Sequence, residues 1–315
     1  VGAMRKLNLM VLLSILAFLA GCAPSFGEDE EVLQNEDDAI VERSIVPANR
    51  LDGSAYRMIL PYSTSEARGV IESQLANRLD VDEMEQGLRR HSTEFFDPEQ
   101  LYFREGRFLT RSTVLGWIEE MNPDREDDWD REEHEANPRV FSHVLEQNYL
   151  QPVQQGDNST VELAGVSIGI ALKSVYRFEA PRHGDLYSYN IPMGEMLERG
   201  YEIADTIIER LREMEGLEEV PILIGLYREE AHSSPVPGNY VTKGLVPAGE
   251  NSVNSWESID EEYILFPSNE ARDKYLEDSE LFDSFGQEIS DFFPNYVGAI
   301  GEGYYVDGEL RQLSI

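Results

Sequence analysis

The sequence predicts an α+β protein: two related lobes of mixed or antiparallel sheet with packed helices, set behind a lipoprotein signal peptide and an acidic tether. Three observations lead there. The order strand, helix, strand occurs twice, the two sets share short phrases, and an export signal ends on the chain's single cysteine, Cys22.

In the first set, apolar runs at Tyr56 to Tyr62 and Leu101 to Leu109 read as strands. Between them Val81, Met84, Leu88, Phe95 and Phe96 fall on one side of a helix with Asp80 as its N-cap. In the second set, strands at Pro221 to Tyr227 and Tyr263 to Phe266 precede a helix, followed by a strand at Gly303 to Val306. That helix carries Phe282, Phe285, Ile289, Phe292 and Phe293 on one face.

The shared phrases point to an internal duplication. Arg68-Gly69-Val70-Ile71 parallels Lys243-Gly244-Leu245-Val246, and Tyr102-Phe103-Arg104-Glu105-Gly106 parallels Tyr304-Tyr305-Val306-Asp307-Gly308. Both helices end in a Phe pair followed by proline, at Phe95-Phe96-Asp97-Pro98 and Phe292-Phe293-Pro294. No solenoid-like short period is present.

Between the sets lie an acidic stretch after Pro123, a strand at Val166 to Phe178 and a helix at Glu195 to Met214. Met196, Leu197, Ala204, Ile207, Ile208 and Leu211 form that helix's buried stripe, and Gly216 stops it. The expected organisation is 1–21 signal peptide, 22–50 lipidated acidic tether, 51–122 first lobe, 123–193 acidic insertion and connecting strand, and 194–315 second lobe.

The amino-terminal signal has three parts. Arg5 and Lys6 supply positive charge after a start at Met4, and the apolar run Leu7 to Ala20 has the length of a signal-peptide core. A bilayer-spanning helix needs roughly 20 residues, so the run is a signal and not an anchor. Leu19-Ala20-Gly21-Cys22 resembles the bacterial lipobox, with small residues before the cut and a thiol to receive diacylglycerol. More than one acyl chain on Cys22 gives stable anchoring to the membrane. The partners this implies are the lipoprotein-processing enzymes and the membrane itself, with the body on its extracellular face.

With Cys22 lipidated no thiol remains, so stability rests on a hydrophobic core. The 41% hydrophobic content suffices for one large core or two smaller ones. A net charge of −35 repels nucleic acid and anionic headgroups and argues against either as a partner. It reads as a device for solubility and for saline or alkaline surroundings.

Sites of chemistry are sparse, and no enzyme activity or cofactor is expected. Gly165-Val166-Ser167-Ile168-Gly169 matches the serine-hydrolase G-x-S-x-G pattern, but Ser167 lies inside an apolar strand with no helix after it, where a nucleophile elbow needs one. An extracellular hydrolase using Ser167 therefore stands only as an alternative, as does a purely structural envelope lipoprotein. The acidic stretch Asp124 to Glu135 has oxygens for a hard cation but lacks a calcium loop's glycine-punctuated spacing, and reads as a solvated loop or helix. The turn-rich Ser233 to Tyr240 reads as a rigid turn, or as a loop for ligand contacts.

Several phrases together resemble the CamS sex-pheromone lipoproteins of Gram-positive bacteria. They are Phe141-Ser142-His143-Val144-Leu145-Glu146-Gln147-Asn148-Tyr149-Leu150, Ala164-Gly165-Val166-Ser167-Ile168-Gly169, Pro237-Gly238-Asn239-Tyr240 and Phe293-Pro294-Asn295-Tyr296-Val297-Gly298. The resemblance implies two products. One is a non-enzymatic surface lipoprotein whose body binds an unknown extracellular ligand or protein. The other is a hydrophobic mating peptide clipped from the signal, here Ile15-Leu16-Ala17-Phe18-Leu19-Ala20-Gly21.

Overall fold

The computed structural model describes residues 32–35, 43–45, 56–59, 62–155, 158–293 and 298–315. Cys22, the lipobox and the peptide Ile15 to Gly21 lie outside the described residues.

Two long strands, β5 (Phe141–Gln155) and β6 (Asn158–Lys173), form an antiparallel pair at the centre of a nine-stranded sheet. On one side of them stand β4 (Tyr102–Glu105) and β3 (Arg57–Met58); on the other stand β9 (Ile222–Glu229), β10 (Asn239–Val246) and β11 (Glu257–Ser258). The order across the sheet is β11-β10-β9-β6-β5-β4-β3. Within the stretch read as tether, β1 (Val32–Asn35) pairs with β2 (Arg43–Ile45) and, in parallel, with β6.

Strands from residues 51–122, 123–193 and 194–315 thus share one sheet. The last part of the chain builds its own three-stranded sheet from β12 (Glu261–Phe266), β13 (Gly301–Val306) and β14 (Glu309–Ser314). The α+β class expected from the sequence holds. The two strand–helix–strand sets close differently, since β3 and β4 pair in parallel and β12 and β13 antiparallel.

The strand predicted as continuous from Val166 to Phe178 is two. β6 stops at Lys173, and β7 (Val175–Ala180) turns away to pair with β8 (Asp185–Asn190) as a separate hairpin. The buried Ser174 between them accepts the Ile191 N–H at 2.9 Å, which ties the far end of that hairpin back to the sheet.

Helices cover both faces of the large sheet. Those that lie on it are α1 (Arg68–Gln74), α2 (Arg78–Ser92) and α3 (Arg111–Glu120), and, after α4 (Arg131–Ala136), which packs on β7, α5 (Met193–Arg212); α6 (Asn269–Lys274) and α7 (Leu276–Phe292) pack with the three-stranded sheet. Asn77 caps α2 by accepting from the Leu79 N–H at 3.1 Å, so Asp80, the residue expected as the cap, sits inside the first turn. The helix also ends at Ser92, before the Phe pair: Phe96 is buried and Phe95 is exposed. Gly216 has φ +89°, a conformation that favours glycine, and the chain turns there after α5.

Alternation along β6 and β9 divides the core. Val166, Ile168, Ile170 and Leu172, with Ile222, Ile224 and Leu226, face Ile203, Ala204, Ile207, Ile208 and Leu211 of α5. The opposite face of β6 carries Gly165, Ser167, Gly169 and Ala171. A Cβ on Gly165 would lie 2.1 Å from the Phe96 ring, and one on Gly169 would lie 2.6 Å from the Tyr240 hydroxyl. The Ser167 hydroxyl lies 3.1 Å from that of Tyr149.

The G-x-S-x-G phrase is therefore a row of small residues at period two, receiving Phe96, Tyr149 and Tyr240 in succession. Phe96 stacks on Tyr149 with ring centroids 4.6 Å apart. Gly165→Ala is expected to cost about 2 kcal/mol through overpacking. Urea unfolding tests this; an unchanged midpoint would refute the close fit.

Candidate functional site

A cleft of about 730 Å³ opens between the large sheet and the three-stranded sheet. One wall is the segment Ser234 to Asn239 with Val241; the other is β12 and the start of α6; Met193 and Leu197 of α5 close one end.

The first wall is a proline-rich segment held by side chains beneath it. Asn77 donates through Nδ2 to the carbonyls of Ser234 (3.1 Å) and Val236 (3.2 Å). Asp80 Oδ1 accepts the Gly238 N–H at 2.6 Å and the Tyr227 hydroxyl at 2.8 Å. Only glycine fits at 238, because a Cβ there would fall 1.9 Å from the Arg228 carbonyl oxygen. Burial raises the Asp80 carboxyl to about 7, against the opposing pull of the Gly238 hydrogen bond. The turn-rich segment singled out in the sequence is thus both a rigid turn and a cleft wall.

The second wall is docked onto α2 by a polar cluster. Arg90 bridges Glu83 (2.7 Å) and Glu261 (3.2 Å) and lies over the Tyr304 ring, 4.6 Å from its centroid. Glu261 also meets His91 Nε2 at 3.2 Å and accepts the Tyr304 hydroxyl at 2.6 Å. Burial would raise the Glu261 carboxyl, but His91 and Arg90 together hold it down at about 2. Glu83 is instead pushed up by its burial, which outweighs Arg90. Charges on two bodies are paired here, so this contact sets the width of the cleft.

The lining is acidic with apolar patches. Glu230, Asp260, Glu262 and Glu270 line it, against Arg228 and Lys274. Arg228 is spoken for by Glu230 at 2.7 Å, and Lys274 by Glu262 at 2.5 Å and Glu270 at 2.9 Å. Val236, Val241 and Leu265 supply apolar surface between them. A concave site with apolar lining and converging polar groups is the usual form of a ligand pocket.

The other residues weighed from the sequence do not form a reactive site. Ser167 is fully buried in mid-strand, paired with Gln147 and Leu223 on its two sides, so the strand-to-helix turn of a nucleophile elbow is missing. In the acidic stretch, Asp130 and Glu133 form a capping box on α4, and both carboxylate oxygens of Asp127 accept from Arg182 Nη1, at 2.9 and 2.8 Å. Among the described residues no group of three or more His, Cys, Asp or Glu is placed to hold a metal ion. No helix among them is long and apolar enough to cross a membrane.

The cleft was not legible from spacing. Its lining comes from Met193 and Leu197 in one part of the chain and from residues 228–274 in another, and the side chains that hold the walls, Asn77, Asp80 and Arg90, come from a third. The only local signal was the dense turn chemistry of Ser233 to Tyr240.

Comparison with known structures finds the same fold in sex pheromone precursors. A crystal structure of such a precursor from Lactobacillus salivarius subsp. salivarius is 27% identical, matches 85% of this chain and 80% of that one, and superposes with a TM-score of 0.76. The C-terminal domain of the sex pheromone staph-cAM373 precursor from Staphylococcus aureus shares the fold at 23% identity, over 77% of this chain and 79% of that one, with a TM-score of 0.65. A comparison with curated protein sequences returns no match. The profile of the CamS sex pheromone cAM373 precursor family matches residues 62–315, which include both walls of the cleft and the small-residue row on β6, and the chain belongs to that family.

Proposed function

We propose that this protein is a lipoprotein anchored through Cys22 on the outer face of the cell membrane, that its discarded signal is a source of the peptide Ile15 to Gly21, and that its body is a non-enzymatic binding module whose ligand enters the cleft. The observation that carries the anchor is Leu19-Ala20-Gly21-Cys22 directly behind a positively charged, apolar leader. Membership of a pheromone-precursor family supports the peptide product. The 730 Å³ cleft supports a binding body over a purely structural one. The mid-strand burial of Ser167 removes the geometry a serine hydrolase would need.

Cys22→Ala is expected to abolish incorporation of a labelled fatty acid and to move the protein from the membrane fraction to the medium. Retention in the membrane without label would sink the anchor. Mass spectrometry of culture supernatant, with a mating-response assay using synthetic Ile15 to Gly21, tests the second product. No peptide and no response would end that part of the reading.

A further inference from the structure

We infer that the cleft takes an extended, cationic peptide segment, which adds as a strand to the free edge of β12. The inference rests on the reading of the cleft as a binding site and adds the ligand's class.

The three-stranded sheet has the order β12-β13-β14, so β12 is paired on one side only. Its ladder with β13 runs its full length, from Glu261 opposite Val306 to Phe266 opposite Gly301. The other edge faces the cleft, as the positions of the lining residues show. Ile264 and Phe266 enter the core with Phe282 and Tyr305, which fixes that face of the strand, to which Glu262 also belongs. Glu261 and Tyr263 point the other way, toward His91 and Tyr304. Residues of both faces, Glu262 as well as Tyr263 and Leu265, line the cleft, and the lining described from this sheet belongs to β12 alone. A cavity bordered by both faces of one edge strand, and by neither of the other strands, runs along that edge.

An exposed edge offers alternate N–H and C=O groups to an extended peptide, which gains main-chain hydrogen bonds from the edge and specificity from side-chain pockets. The charge of the site selects the peptide. Asp260 and Glu270 are exposed at the cleft, with Glu230 and Glu262 partly buried beside them. The two lining cations, Arg228 and Lys274, are already held by Glu230 and by Glu262 with Glu270. Acidic groups therefore exceed basic ones, and an incoming lysine or arginine meets a favourable field in a molecule of net charge −35. Val236 and Val241 across the cleft, with Leu265 on β12, offer apolar contact to the residues between the cations. Six residues of strand span roughly 20 Å, and since the Ile259 N–H just before β12 already reaches the Val241 carbonyl of β10 at 3.0 Å, the pairing positions for a peptide are those toward Phe266.

The test uses the folded chain and the capped pentapeptide Lys-Val-Lys-Val-Lys, with calorimetry for affinity and hydrogen exchange for position. The expected result is binding with slowed exchange across residues 261–266. A fully N-methylated version of the peptide keeps the charge but cannot pair, and should bind at least about tenfold more weakly. The double substitution Asp260→Asn with Glu270→Gln should weaken the parent peptide by about tenfold at low salt and by less at high salt.

Equal binding by the N-methylated peptide, with protection still in the cleft, would overturn strand addition while leaving the cleft as a binding site. Protection confined to another surface would overturn both. Equal binding by Glu-Val-Glu-Val-Glu, or by uncharged Ile15 to Gly21, would overturn the preference for cations. Absence of binding by the lysine peptide would overturn the inference as a whole.

Discussion

Glu146→Ala is expected to lower the unfolding free energy by about 4 kcal/mol, because four donors lose a buried carboxylate at once. Glu146 lies on β5 and accepts from the N–H groups of Arg107 (2.9 Å), Phe108 (3.0 and 3.2 Å) and Leu109 (2.7 Å), and from Asn148 Nδ2 (2.9 Å). These backbone groups follow β4, where the chain leaves the sheet for α3. Gly106 permits the approach, since a Cβ there would lie 2.6 Å from the Glu146 side chain. Glu146→Gln is expected to cost about 2 kcal/mol, since its amide would turn a donor toward donors. Urea unfolding of both variants checks the ordering. A loss below about 1 kcal/mol for Glu146→Ala would mean that water or another group satisfies the loop.

The second large effect is a pH dependence centred on Asp80. Burial raises its carboxyl from an ordinary 3.8 to about 7 in the folded protein. A folded pKa above the unfolded one means that folding favours the protonated acid. Its contribution is complete below pH 3.8 and is lost as the pH rises through about 7. Between pH 5 and pH 8 this removes about 2–3 kcal/mol.

Burial also raises Glu146 and Glu229, which act in the same direction. His143 acts oppositely: burial lowers it from 6.5 to about 3, so its contribution is present above pH 6.5 and is lost as the pH falls toward 3. Asp80→Asn keeps a side-chain oxygen for Gly238 and Tyr227 but removes the charge. The variant's stability should therefore fall by about 2–3 kcal/mol less than that of the native chain between pH 5 and pH 8. Parallel pH profiles of the two proteins would show that Asp80 is not the group responsible.

The second effect arises under an element that shapes the candidate site. Asp80 supports the first wall of the cleft through Gly238, and Glu261 with Arg90 and His91 sets the second. Ionisation of Asp80 thus bears on the same segment that a ligand would touch. The cluster at Glu261 is compensated differently. There Arg90 and His91 keep the carboxylate charged, so docking of the two sheets is retained to low pH.

The sequence by itself determined the α+β class, the family, the position and buried stripe of α5, and the strand character of Val166 to Lys173 and of Ile222 to Tyr227. Those depend on periodicity within a few residues, which is written locally. It also carries the proposed lipobox at Cys22, a signal that needs no fold. Tertiary structure alone decided that Gly165, Ser167 and Gly169 are seats for Phe96, Tyr149 and Tyr240, and that Asp80 supports a loop more than 150 residues away. It decided too that β9 and β10 join the large sheet while β12 keeps a free edge on the cleft. Strand pairing and ring packing join residues distant in the chain, and no local pattern records which strand finds which neighbour or which edge is left open.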